Sequence, residues 1–174
     1  IQAGTLNLQA IVAAQHDGAI FGWDGIGNPF ILTQLVGFVV FLIASQAELA
    51  QTPFDMPVAE SEIVTGYMTE YSGMRFLLFF IAEFATAAVF AALASTLFLG
   101  GWALPFVDLS ENYMNVVGPL VLVAKMMIVG TLIFWARFTF PRFREDQLQA
   151  FAWKALIPIS LVNILATMVL KVAF

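Results

Sequence analysis

Four long apolar stretches constrain this chain more than any other feature of its sequence. Hydrophobic residues make up 61% of the 174 positions, whereas soluble domains contain roughly 45–50%. A helix needs about 20 apolar residues to cross the hydrocarbon core of a bilayer, and each stretch is about that long. The sequence therefore predicts an all-α membrane protein, a single transmembrane domain over 1–174 with helices near 30–50, 76–98, 116–136 and 155–174.

Residue usage excludes several kinds of chemistry within this chain. It contains no cysteine, which excludes disulfides, thiolate-bound zinc and iron–sulfur clusters held by the chain itself. His16 is the single histidine, so neither a haem nor a histidine–metal site is expected. The sequence begins at Ile1 without a signal-peptide pattern, and we interpret it as a processed or partial copy of a longer polypeptide.

Basic residues predict the orientation of the helices. Five of them lie in or beside two connections: Arg75, Arg137, Arg142, Arg144 and Lys154. Connecting loops rich in Lys and Arg remain on the cytoplasmic side of a membrane. We therefore expect a multi-pass protein whose loops 48–75 and 136–154 face the cytoplasm.

The loop over 51–75 and its edges carry five of the twelve acidic residues: Glu48, Asp55, Glu60, Glu62 and Glu70. Pro53 and Pro57 prevent a continuous helix, and a short helix can begin near Pro57 with Asp55 as its N-cap. Helical spacing then places Glu60 on the apolar side and Glu62 on the opposite side. Acids of this kind either solvate the inner surface or, in apolar surroundings, exchange protons.

Two charged residues fall inside predicted membrane helices, Glu83 and Lys125. An ionisable group at membrane depth costs a few kcal/mol, so it usually faces a partner charge, the bundle interior or water. Both a structural ion pair between helices and a polar, proton-conducting path are consistent with this pattern. Arg137, Arg142 and Arg144 either set the topology and bind lipid phosphates or dock a soluble partner.

The stretch TPFDMPVAESEIVTGYMTEYSGMRF, over 52–76, resembles the signature loop of one protein family. That family is the H subunit of the proton-translocating NADH:quinone oxidoreductase, respiratory complex I, whose mitochondrial counterpart is subunit 1. A second block agrees with it: Lys125, Trp135, Arg137, FPRFREDQL over 140–148, and Trp153–Lys154. The resemblance covers essentially the whole chain, as the C-terminal half of a subunit of roughly eight helices.

The resemblance implies a function and a set of site residues. The subunit would form the quinone-binding chamber and the start of the proton path, coupling quinone reduction to proton translocation. Proton transfer would involve Glu48, Asp55, Glu60, Glu62, Glu70 and Glu83. The quinone cavity would include Gln51, Phe54, Asp55 and Tyr67. Lys125 would belong to the polar path, and Arg137, Arg142 and Arg144 would face the hydrophilic arm.

The resemblance also implies the molecular surroundings of the chain. The expected partners are quinone, the lipid bilayer and the other subunits of the membrane and hydrophilic arms, without nucleic acid. FMN and iron–sulfur clusters are expected in partner subunits, and a bacterial inner membrane is the expected location. No metal site is expected in this chain.

Two positions depart from the family pattern and keep other functions open. Gln51 stands where the family commonly has arginine, and Val58 where it commonly has glutamate. The alternatives are the equivalent subunit of a membrane-bound hydrogenase or ferredoxin-fed dehydrogenase, an ion antiporter, or a scaffold subunit.

Overall fold

The chain is a bundle of helices in the computed structural model, which describes residues 2–17, 28–56, 66–104 and 111–173. A 3₁₀ turn covers Gly66–Glu70, and a π-helical turn over Ala152–Leu156 joins the last two α-helices. The α-helices are α1 (Leu8–Asp17), α2 (Phe30–Thr33), α3 (Leu35–Glu48), α4 (Met74–Phe98), α5 (Glu111–Thr139), α6 (Glu145–Phe151) and α7 (Ile157–Ala173).

Three helical segments are long and apolar enough to cross a membrane, and they cover Met74–Phe98, Asn115–Thr139 and Glu145–Val172. The shorter apolar helix α3 brings the architecture to roughly four spans. No strand occurs in the described ranges. The prediction of an all-α membrane protein is therefore confirmed.

The first apolar stretch is divided at Gln34, between α2 and α3. The backbone there has φ −122° and ψ 36°, outside the helical region. The Gln34 side chain instead reaches α7, where its Nε2 donates to Thr167 Oγ1 at 2.6 Å and its Oε1 accepts from Asn163 Nδ2 at 2.9 Å. Gly37 leaves room for this contact, because a Cβ there would lie 3.1 Å from Asn163 Nδ2. These hydrogen bonds hold α7 against the start of α3.

The core forms where α4 packs against the antiparallel helix α5. Ala87, Ala91 and Ala94 form a buried stripe along α4, and Val129 and Ile133 face them from α5. Small side chains let two membrane helices approach closely, which gains van der Waals contact where lipid supplies no hydrophobic drive. Phe38 of α3 and Leu49, just after α3, also belong to this cluster, and the Phe38 ring lies 5.4 Å from that of Phe98.

Lys125 closes one end of the α4–α5 pair. Its ammonium donates to the carbonyl oxygens of Leu99 at 2.7 Å, Gly101 at 2.8 Å and Ala103 at 2.7 Å. Carbonyls at the C-terminal end of a helix have no partner within the helix, and a nearby cation also complements the helix dipole. Lys125 therefore places its charge at the C-terminal end of α4, and its three donors bind the carbonyls of the C-cap Leu99 and of the turn that follows.

Replacing Lys125 with Met is expected to destabilise the subunit. The three carbonyls would lose a charged donor, and the free energy of unfolding should fall by about 2 kcal/mol or more. The melting temperature of the full-length subunit in detergent measures this loss. Lys154→Met is the matched control, since Lys154 is exposed, and equal melting temperatures for the two variants would contradict the assignment.

Candidate functional site

A buried turn follows α3 at the end of the bundle that carries Arg75, Arg137, Arg142 and Arg144, which we call the basic end. The chain reverses at Ala50, whose φ of 47° is costly for any residue with a Cβ. Beyond it, the side chains of Gln51 and Phe54 are 2% and 6% exposed. The turn is therefore set into the protein.

Two contacts hold this turn against the segment that follows α5. The Phe143 N–H donates to the carbonyl oxygen of Pro53 at 3.0 Å. The rings of Phe54 and Phe143 lie 5.8 Å apart. The turn after α3 thus cannot move independently of the connection that carries Arg142 and Arg144.

Glu83 lies one turn from Ala87 on the same stripe of α4, so its carboxylate points toward α5 and the buried turn. Gln51 Nε2 donates to Glu83 Oε1 at 3.0 Å. Arg137 Nη1 lies 3.8 Å from the same oxygen. The Glu83 and Arg137 side chains are 25% and 33% exposed, so both charges are partly withdrawn from solvent.

The register of α4 and α5 decides which cation faces Glu83. Arg137 continues the Val129–Ile133 stripe of α5 by four residues, and Lys125 precedes that stripe by four. Because the two helices are antiparallel, Arg137 reaches the level of Glu83 while Lys125 reaches the far end of α4. Glu83 thus has an interhelical partner charge, and that partner is Arg137, whereas Lys125 binds carbonyl oxygens.

An apolar cavity of about 210 Å³ opens beside the buried turn. Gln46 contributes the one polar side chain among the described residues that line it. Its amide Nε2 donates to the carbonyl oxygen of Ile133, and its buried Oε1 has no hydrogen-bond partner in the described part of the chain. Of the residues predicted to contact quinone, Phe54 lines this cavity. The cavity is lined by Leu42, Ile43, Gln46, Pro53, Phe54, Leu132, Ile133, Ala136, Phe140, Phe143 and Phe151.

The other predicted acids lie in different surroundings. Glu48, at the end of α3, and Glu70, in the 3₁₀ turn, are exposed. Asp55 is half-buried, and its Oδ1 has no hydrogen-bond partner among the described residues. Glu60 and Glu62 lie outside the described residues, as does the side chain of Tyr67. The roles expected for these residues remain predictions.

The other two basic residues predicted for the site, Arg142 and Arg144, lie beyond the end of α5. Arg142 is half-buried, and Arg144 is exposed and forms an ion pair with Asp146 at 3.2 Å. Within 2–17, 28–56, 66–104 and 111–173, no group of three or more His, Cys, Asp or Glu side chains could hold a metal ion.

Two features of the site were not predicted from the sequence. Gln46 was not singled out, although a lone amide within the apolar run FVVFLIASQ is a detectable signal. The hydrogen bond from Gln51 to Glu83 is the second such feature, and the contact of Gln51 with quinone stays a prediction. Residue spacing gave no indication of that hydrogen bond, because the two residues belong to different elements.

The fold and the site define an integral membrane protein with a charged group set into its helix bundle beside an apolar cavity. A sequence model of the family described as NADH dehydrogenase matches residues 1–168. The chain belongs to this family, which confirms the resemblance of its loop signature.

Three bacterial relatives illustrate the similarity. The chain is 47% identical over 173 residues to the H subunit of NADH-quinone oxidoreductase from Anoxybacillus flavithermus, covering 99% of this chain and 47% of that protein. It is 42% identical over 175 residues to subunit 8 of the NADH-quinone oxidoreductase of Rhodothermus marinus, covering 95% and 50%. For the H subunit from Bacillus thuringiensis subsp. konkukian the identity is 47% over 172 residues, covering 99% and 47%. The chain thus spans about half the length of these relatives.

Truncating Phe54 is expected to loosen the buried turn. Phe54→Ala should destabilise the basic end by about 3–5 kcal/mol through lost packing, and trypsin should then cleave the full-length subunit faster at Arg75, Arg142 and Arg144. Phe138→Ala is the control, because the Phe138 side chain is 82% exposed. Equal cleavage rates in the two variants would show that Phe54 does not anchor the turn.

Proposed function

We propose that this chain forms part of the membrane-arm subunit of a proton-translocating NADH:quinone oxidoreductase. In this proposal it contributes to the quinone chamber and to the first groups of the proton path. It lies in a bacterial inner membrane with its basic end toward the cytoplasm. Partner subunits hold FMN and iron–sulfur clusters and deliver the electrons.

The contact between Glu83 and Gln51 carries this proposal. A carboxylate inside a membrane helix is costly and marks a functional position by default. Here one oxygen of Glu83 meets both the amide of a loop residue and the guanidinium of Arg137. A group so placed can respond to changes in the loop and in the local charge.

The apolar cavity supports quinone as the substrate. Ligand pockets are mostly apolar, with a few polar groups that fix orientation. The cavity beside the turn has this character, with four phenylalanine side chains and one amide in its lining. A quinone ring or a segment of its isoprenoid tail matches this lining, and Phe54 links the cavity to the acidic loop.

Charge coupling connects quinone chemistry to the acids. Reduction of a quinone to a hydroquinone takes up two electrons and two protons. The electrons bring negative charge to the basic end, and the charge balance of the quinone is restored when two protons reach it from neighbouring groups. Nearby carboxylates respond to such a change by binding or releasing protons. Arg142 and Arg144 lie on the surface that faces the hydrophilic arm.

Neutralising Glu83 tests the proposal. Glu83→Gln in the assembled complex should depress both the rate of quinone reduction and the number of protons moved per electron pair. Glu145→Gln is the matched control, because Glu145 is exposed at the start of α6. Normal rates and normal stoichiometry in an assembled Glu83→Gln complex would remove Glu83 from the proton path.

A further inference from the structure

Gln51 is buried and held by its backbone, although it lies in a connection between helices. It is 2% exposed, and its backbone carbonyl accepts a hydrogen bond from the Phe54 N–H at 2.8 Å. Two residues further along, the carbonyl oxygen of Pro53 accepts a hydrogen bond from the Phe143 N–H. The position of the Gln51 side chain is therefore set by the buried turn and by the segment after α5.

The amide of Gln51 lies closer to the Glu83 carboxylate than the guanidinium of Arg137 does. The donor–acceptor distance of 3.0 Å is that of a hydrogen bond, whereas Arg137 at 3.8 Å is a looser electrostatic partner. A hydrogen bond to an ionised acceptor is about twice as strong as a neutral one. Gln51 thus fixes the carboxylate without adding a charge to the Glu83–Arg137 pair.

The other end of the amide points to buried water. Gln51 Oε1 is buried and has no hydrogen-bond partner in the described part of the chain, and the same holds for Asp55 Oδ1 four residues further along. Buried polar atoms without protein partners are commonly satisfied by ordered water. Both atoms are hydrogen-bond acceptors, and a water molecule is a donor of the kind that they lack among the described residues.

We propose that Gln51 is the positioning residue through which the buried turn controls Glu83, with water bound to its Oε1. The proposal rests on the role proposed above for Glu83 and names the residue that regulates it. A displacement of the turn withdraws the Gln51 donor and leaves the carboxylate with Arg137 alone. Movement of the loop is thereby converted into a change at a proton-carrying group.

The test is a set of variants of the full-length subunit in the assembled complex, with proton translocation measured per complex. Gln51→Met keeps the length of the side chain but lacks the donor, and should lower the translocation rate about tenfold, the effect of one charge-assisted hydrogen bond. Gln51→Arg keeps a long donor and should retain at least about half of the rate. Immunoblots of the purified complex normalise for assembly.

A double-mutant cycle separates positioning from general destabilisation. If Gln51 acts through Glu83, the pair Gln51→Met with Glu83→Gln is no slower than Glu83→Gln alone, because the shared interaction is already lost. Gln46→Met is the matched control, since Gln46 is a buried amide of the same region that binds the Ile133 carbonyl. When Gln46→Met is combined with Glu83→Gln, the fold-reductions that the two variants cause in the translocation rate should multiply.

Each possible result either supports or overturns the positioning role of Gln51. A near-normal rate for Gln51→Met, a multiplicative Gln51–Glu83 pair, or a Gln51→Arg variant as slow as Gln51→Met would overturn the positioning role while leaving Glu83 in its proposed path. A normal Glu83→Gln complex would overturn both the proposed function of Glu83 and this inference. The two failures are therefore distinguishable.

Discussion

The antiparallel contact between α4 and α5 determines the positions of the charged groups. Four residues of α5 at four-residue spacing face α4: Lys125, Val129, Ile133 and Arg137. The two apolar members pack on the alanine stripe, Lys125 binds the carbonyls that follow the C-terminal end of α4, and Arg137 lies beside Glu83 in its first half. Because apolar packing fixes the register, it also fixes the partner of each cation, which is a set of carbonyls for Lys125 and a carboxylate for Arg137.

Neutral amides provide most of the other polar contacts between elements. Gln15 binds the backbone of Thr96 and Phe30, Gln34 binds α7, and Gln46 binds the Ile133 carbonyl. An amide costs far less to bury than a charge and offers both a donor and an acceptor. Gln51 belongs to the same set but differs in its partner, which is an ionisable carboxylate. Gln51 thus links the buried turn to Glu83, a group whose charge can change.

The sequence predicted the class of protein but not the pairing of its charges. The apolar stretches were sufficient for the membrane helices, because length and hydropathy alone decide whether a segment can span. The break at Gln34 could not be predicted, since it accompanies contacts with Asn163 and Thr167, far away in the chain. Glu83 was identified from its depth in the apolar run, whereas Arg137 as its partner depended on a helix register that residue types do not reveal.

The central claim is that quinone reduction changes the state of Glu83 through the turn that carries Gln51. Infrared difference spectroscopy of the assembled complex during quinone reduction tests this claim most directly. The account predicts a carboxyl band that appears on reduction, is absent from Glu83→Gln and is altered in Gln51→Met. A difference spectrum that is the same with and without the Glu83 carboxyl would contradict it.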